Sequence, residues 1–578
     1  MSVFISAMHA STFISPTLTQ NGAPSHSTTG EALVDLFFKS VRGCEKEDYL
    51  NLLRCAWTVS PLLTLKMIAH IRNIRGGKGE RDLGRYALEW LSTEHPKHLL
   101  LNLEFYLGKF GRWDDGVHLV VNDNLEVVKG VYKVYTDQLQ KDLSLLASET
   151  PTPTPTPTPS GGQGDNRRCQ QGIVSPSPTP TGGQGGNRRC QQGIVSPSSM
   201  SIGDTIQKSD ETQIKSRLSI SLCAKWIPSE GKAEDRVYGF NRGLAQACGL
   251  THKMLRMNLS MLRKKINILE THLCEDTLCE VDYSKVPSVA MNRHGKTEGV
   301  FMRRDTERFL EYKSSLVQGV TGVKVNVGAL YPHEVVTKYL SNGSVCQPED
   351  LTESQWKAIL AKITPEERNH LSGLVPMVDV SGSMYHSTKK PAPIDVAISL
   401  GLLVSELNPC PSFHNTIMTF SSNPQFYRVE GDTLYTRVSN LRKAEWGTST
   451  DFAKAFRMIL DRAKFFKLIE SEMPRTLLVI SDMQFNSAGS MSETNYKVLE
   501  REYMEAGYKV PKLIFWNVNG SLTDFPVTAC QSGTALISGF SIEILNDVLK
   551  GEEITPFRVM LRILEQPEYD CITLPDVG

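Results

Sequence analysis

Carboxylates and hydroxyls at the ends of two apolar runs are the residues of this sequence best suited to chemistry. The run 374–378, Leu-Val-Pro-Met-Val, delivers Asp379 to a turn that holds Ser381 and Ser383. Gly382, between the two serines, is expected to let the backbone curl so that both hydroxyls face one point. A second run, Thr-Leu-Leu-Val-Ile at 476–480, leads through Ser481 to Asp482. Between the two lies the loop Trp-Gly-Thr-Ser-Thr-Asp at 446–451, which offers Thr450, with Thr448 as the alternative. A donor set made only of oxygens suits a hard divalent cation, Mg²⁺ first and Mn²⁺ or Ca²⁺ otherwise.

Such donors meet only if a scaffold brings the three segments to one place. Apolar runs of this length, bounded by polar turns, read as buried strands. From residue 374 onward strands and helices alternate. Strands are expected at 374–380, 415–420, 425–429, 476–481, 512–518 and 534–538, and helices at 394–407, 452–468, 493–506 and 542–549. That order predicts a doubly wound, Rossmann-like α/β sheet over 371–578, whose neighbouring strands share a crevice at their carboxyl ends. Enzyme readings fit the motif poorly. The second position after Asp379 is Ser381, not the Asp that a haloacid-dehalogenase phosphatase needs, and Ser383 lacks the Gly-x-Ser-x-Gly elbow of a serine hydrolase. A two-carboxylate nuclease on Asp379 and Asp482 stays as the enzymatic alternative. The expectation is a protein that is not an enzyme.

The 578 residues allow two or three domains, and 63 basic against 63 acidic side chains give no global charge to favour nucleic acid or a membrane. Twelve cysteines over this length suit a reduced compartment better than a disulfide scaffold. His272, Cys274 and Cys279 lack the second pair that a zinc site requires. No secretory pattern and no apolar run of spanning length is present, so a cytoplasmic protein is expected.

Residues 1–30, rich in Ser, Thr, Asn and Gly, read as a flexible tail. Apolar residues then recur at helical spacing over 31–148 and again over 216–370, predicting a helical-repeat, HEAT-like domain in two arms. One long helix is expected at 253–274. Residues 149–215 separate the arms. They carry Thr-Pro alternation and a 21-residue unit present twice, GGQGDNRRCQQGIVSP and GGQGGNRRCQQGIVSP, so this insert is expected to be disordered. Trp113 is expected to pack and His333 to cap a helix.

Two clusters carry local positive charge. From 66 to 85 six Lys or Arg face two acids, around Ile-Arg-Asn-Ile-Arg-Gly-Gly-Lys-Gly-Glu-Arg-Asp at 71–82. The Gly-rich loop is no P-loop, since Gly79 follows Lys78 where Ser or Thr is required. A solvated rim is the plain reading and phosphate-backbone contact the functional one. On the latter, Lys66, Arg72, Arg75, Lys78, Arg81, Arg256, Arg263 and Lys264 are the candidate RNA contacts. Clusters gathered on one concave face would favour RNA, and clusters that scatter would favour a protein scaffold.

Asp-x-Ser-x-Ser, a loop Thr and a strand-end Asp, in that order, resemble the metal-ion-dependent adhesion site of von Willebrand factor A domains. The resemblance implies direct ligation by Ser381, Ser383 and Thr450, with Asp379 and Asp482 holding coordinated waters. An acidic protein ligand would complete the coordination. A helical array followed by such a domain looks like the TROVE-module, or Ro autoantigen, proteins, which implies RNA as a partner. A closer resemblance, carried by Lys225-Trp226-Ile227-Pro228-Ser229, Val286-Pro287-Ser288, Pro332-His333-Glu334 and Asp379 to Ser383, is to an uncharacterised family of plants, fungi and large DNA viruses. It implies a fold and a metal site, but no activity.

Overall fold

In the computed structural model the chain is described over residues 16–19, 22–149, 219–340, 347–385, 390–420, 424–442, 452–485, 495–521, 524–549 and 554–576. It divides into two compact units, one of Met1–Leu139 with Ser221–Gly578 and one of Gln140–Ile220. Of the second unit the helical stretch 140–149 and residues 219–220 are described. The duplicated insert expected at 149–215 lies almost entirely outside the described residues.

The first unit is mixed α/β, mostly helical, with a six-stranded sheet towards its C-terminal end. Two short N-terminal strands, β1 (Pro16–Leu18) and β2 (Pro24–His26), form an antiparallel hairpin. The large sheet comprises β3 (Leu374–Asp379), β4 (Thr416–Phe420), β5 (Gln425–Arg428), β6 (Thr476–Ser481), β7 (Lys512–Asn517) and β8 (Thr534–Ser538). Its order is β5-β4-β3-β6-β7-β8, parallel throughout except for the antiparallel pair β4 and β5. Every residue of β3, β6 and β8 is buried. A parallel strand covered on both faces has no solvent side to alternate with, and this explains the unbroken apolar runs.

β3 and β6 are neighbours, yet the chain leaves β3 towards β4 on one side and returns to β6 on the other. That is the topological switch point, where the connecting loops diverge and open a crevice. Asp379 ends β3 and Asp482 follows β6 directly, so both carboxylates belong to that crevice.

Helices from both arms and from the C-terminal end pack on the sheet or on its covering helices. Ala32–Lys39 and Pro556–Leu564 lie against β8, and Pro332–Leu340 lies against the helix Pro393–Leu407. Glu353 accepts hydrogen bonds from the N–H groups of Leu434 (2.8 Å) and Tyr435 (3.0 Å), capping the helix Leu434–Leu441 from another element. Trp356 Nε1 donates to Glu406 at 2.8 Å.

Several expectations need correction. Within the tail predicted at 1–30, the described residues are held by the rest of the chain: His26 and Phe525 exchange backbone hydrogen bonds at 3.0 and 2.9 Å, and the Thr19 hydroxyl donates to the Phe485 carbonyl at 2.7 Å. The last residues, assigned with 371–578 to the sheet domain, return to the helices. Tyr569 OH lies 3.0 Å from His70 Nδ1, and Thr573 and Asn102 exchange hydrogen bonds at 2.9 Å. The helix expected at 253–274 is two, His252–Ile266 and Leu269–Glu275. Asn267, at φ 57°, turns the chain between them. His333 is buried, stacked on Tyr331 and edge-on to Phe540, so it packs rather than caps. Trp113 is buried against Tyr135, as expected.

Candidate metal centre

Backbone geometry assembles the donors at the crevice. Asp379 Oδ1 accepts the Ser381 N–H at 2.9 Å, a turn closed by the aspartate itself, and the Ser381 and Ser383 hydroxyl oxygens lie 3.1 Å apart. On the neighbouring strand, Ser481 donates its hydroxyl to Asp379 Oδ2 at 2.5 Å and accepts the Met483 N–H at 2.9 Å. Asp482 Oδ1 accepts the Gln484 N–H at 3.3 Å. Met483 sits at φ 67°, a left-handed conformation unusual for a residue other than glycine, and it turns the chain sharply after Asp482. Ser481 was visible in the sequence only as the residue before an aspartate. Its role depends on the strand pairing that sets it beside Asp379.

Asp379, Ser381 and Asp482 are all buried, and Asp482 Oδ2 is buried without a hydrogen-bond partner. Burial, then the charge of Asp482, raises the Asp379 carboxyl above its ordinary range, against the hydrogen bonds from Ser481 and Ser381. Burial likewise raises Asp482, opposed by the nearby Ser383 hydroxyl and the Gln484 N–H. Two carboxyls that repel each other in a buried crevice, one with an idle oxygen, beside two converging hydroxyls, make a donor set that fits a hard cation. Gly382 does not carry the role expected of it: its φ lies outside the left-handed region, and a Cβ there would meet nothing within 4 Å. Thr448 and Thr450 lie outside the described residues.

Half of the basic residues at 66–85, Lys66, Arg72 and Lys78, are buried, whereas Arg75 and Arg81 are exposed. Lys78 is fully buried; its Nζ donates to the carbonyls of Phe37 and Ser40 and lies 2.7 Å from Ser538 Oγ at the end of β8. Arg72 is buried and pairs with Asp115 at 2.8 Å, Arg81 pairs with Asp114 at 3.0 Å, and Lys66 reaches Asp570 at 3.1 Å. Burial alone would raise Asp115, but Arg72 and Arg85 hold it below the usual carboxylate range. Arg75 is exposed. In the second cluster Arg263 donates to the carbonyls of Ala224 (2.8 Å) and Ile227 (2.7 Å), whereas Arg256 and Lys264 are exposed beside Glu230 and Glu275. Lys66, Arg72 and Lys78 are therefore removed from any phosphate-facing surface, because acids and carbonyls distant in sequence neutralise or enclose them. Both nitrogens of His272 are engaged, by Thr277 at 2.9 Å and Asn267 at 2.6 Å, and no cluster of three His, Cys, Asp or Glu fit for a metal occurs among the described residues.

The glycines around Lys78 permit this inward packing. A Cβ on Gly77 would overlap the His70 carbonyl oxygen, and Gly79, at φ 66°, has no room beside the Tyr331 hydroxyl. Gly77→Ala is expected to destabilise the chain by roughly 3 kcal/mol, read from the urea midpoint. A loss below about 0.5 kcal/mol would mean that the loop yields freely.

Two family models match in the same arrangement. Residues 19–143 and 244–368 match a domain of unknown function (DUF2828), and residues 374–562 match a second one (DUF7788). The chain's two regions match families of unknown function. The gap between the pieces of the first match, 144–243, spans the duplicated unit. An uncharacterised protein of Acanthamoeba polyphaga mimivirus, L728, is 29% identical over 574 residues, covering 95% of this chain and 87% of the relative. Among solved structures, the Ro (RSR) protein of Deinococcus radiodurans aligns over 93% of this chain and 99% of its own, at 14% identity. Its TM-score of 0.32 is too low for that likeness to bear on fold or ligand.

Proposed function

We propose that this protein is a non-enzymatic binding protein whose von Willebrand A-like region holds a divalent cation, Mg²⁺ or in its place Mn²⁺ or Ca²⁺, in an adhesion site. Asp379, Ser381, Ser383 and Asp482 would hold it, with Thr450 from the intervening loop. A bound cation would supply an electrophilic position for a carboxylate of a protein partner. The observation that carries the reading is the buried, unpartnered Oδ2 of Asp482 in the switch-point crevice, beside Asp379 and two hydroxyls. A buried carboxylate oxygen without a donor is costly, and a cation removes the cost.

RNA is the lesser reading. Of its candidate contacts Arg75, Arg81, Arg256 and Lys264 are exposed, but Arg81, Arg256 and Lys264 pair with acids, and Lys66, Arg72 and Lys78 of the densest cluster are buried. The test is calorimetric titration of the full chain with Mn²⁺. One site is expected, weakened about tenfold or more in a Ser381→Ala/Ser383→Ala variant, together with retention on an immobilised aspartate-containing peptide in Mg²⁺ and release in EDTA. A silent Mn²⁺ titration would overturn the metal reading. Micromolar affinity for single-stranded RNA with a steep salt dependence would restore the other.

A further inference from the structure

A cleft in the C-terminal helical arm is unused by the metal reading. This cleft, of about 620 Å³, opens between the helices Cys223–Trp226, His252–Ile266 and Leu269–Glu275. Arg263 builds it: one guanidinium ties the carbonyls of Ala224 and Ile227, and at 3.3 Å the Ser229 hydroxyl, to the long helix, so the walls are fixed. Leu259 and Ile268 contribute apolar floor.

The helix His252–Ile266 extends this surface. Leu255, Leu259 and Leu262 are buried on its inner face. Met254, Met257 and Met261 are 50%, 54% and 47% exposed, at spacings of three and four that set them in one outer stripe. At 100° per residue Lys253 and Lys264 fall between that stripe and the cleft. Every charged side chain on the helix is basic. The cleft's own acids are paired across it, Glu230 with Arg256 at 3.5 Å, Glu270 with Lys225 and Glu275 with Lys264 at 3.4 Å.

We infer that this cleft and methionine stripe dock an acidic amphipathic helix of a partner protein. Flexible thioethers adapt to apolar side chains of varied shape, and a basic rim around them selects carboxylates. Four turns of helix, about 22 Å, match one partner helix of similar length. Nucleic acid fits less well. The Trp226 ring, the aromatic surface there on which a base would stack, already carries the Arg112 guanidinium at 4.2 Å from its centre.

The test is fluorescence anisotropy with the full chain in EDTA, so that its failure leaves the metal reading untouched. The probes are a helical peptide of about 18 residues with leucine at i, i+3, i+4 and i+7 and glutamate flanking, a scrambled peptide of the same composition, and a single-stranded RNA of equal length. The amphipathic peptide should bind at least about tenfold more tightly than the scrambled one. Met257→Ser/Met261→Ser and, separately, Lys253→Glu should each weaken it several-fold, with circular dichroism unchanged because all three positions are exposed. Equal binding of the two peptides, no binding by either, or RNA bound more tightly and insensitive to the methionine changes would each overturn the inference.

Discussion

Lys78→Ala is expected to destabilise the chain by roughly 3–5 kcal/mol, the cost of removing one partner from a buried, charge-assisted network. The side chain is fully buried and fastens two elements far apart in sequence. Its Nζ satisfies the carbonyls of Phe37 and Ser40 at the end of the helix Ala32–Lys39 and meets Ser538 at the end of β8. Helix ends leave carbonyls without intrahelical partners, and here no water can reach them. Alanine would remove the lysine donor from the Ser40 carbonyl, leave the Phe37 carbonyl only the Ser538 hydroxyl at 3.2 Å, and open a cavity the size of the lysine stem. Lys78→Met refills the volume but not the hydrogen bonds, and should fall between alanine and wild type. Urea melts of the three proteins check this; an alanine variant within 1 kcal/mol of wild type would remove Lys78 as a fastener.

Lys78 also carries a pH signature. Burial pushes it from the ordinary lysine range down to about 7. A neutral amine keeps two N–H groups for the surrounding oxygens, while the Ser538 hydroxyl donates to the Phe37 carbonyl at 3.2 Å. Between about pH 7 and the ordinary lysine value the unfolded chain holds the extra proton, so stability rises with pH across that window and is lowest, for this group, below it. The slope should vanish in Lys78→Met.

What the sequence made legible follows from where each cause lies. The strands from Leu374 onward could be read because both faces of the sheet are covered, which writes burial into consecutive residues. The oxygen donors could be read because Asp379, Ser381 and Ser383 sit within five residues of one another and Asp482 ends the next apolar run of the same kind. The segment 66–85 misled because its charge is local while its partners are not: Asp114, Asp115, Asp570 and Ser538 are brought to it only by the fold. A lysine among glycines looks the same in sequence whether it faces a phosphate or two helix-end carbonyls. The N-terminal hairpin escaped notice because three-residue strands show no periodicity, and its anchor, Phe525, lies at the other end of the chain.

Asp379→Asn should reverse the order of stability with and without metal, and that crossover tests the centre most directly. In EDTA near pH 7 the two buried carboxyls oppose each other, since Asp482 is a cause of the raised Asp379 value. Asparagine keeps the volume and removes one charge. Its carbonyl can accept the Ser381 N–H, and its amide can donate to Ser481. The variant should therefore be more stable than wild type by about 1–2 kcal/mol without metal. With Mg²⁺ at a hundred times its dissociation constant, wild type should gain about 2.7 kcal/mol and the variant little, so wild type becomes the more stable protein. The pH dependence has a definite sign. A carboxyl raised in the folded state binds its proton there more tightly than in the unfolded chain. Metal-free wild type should thus lose stability as pH rises from the ordinary carboxylate range through the raised value, a loss that Mg²⁺ or Asp379→Asn removes. Equal thermal shifts of the two proteins on adding Mg²⁺ would place the cation elsewhere. No shift in either would leave the crevice as a strained carboxyl pair that stabilises nothing.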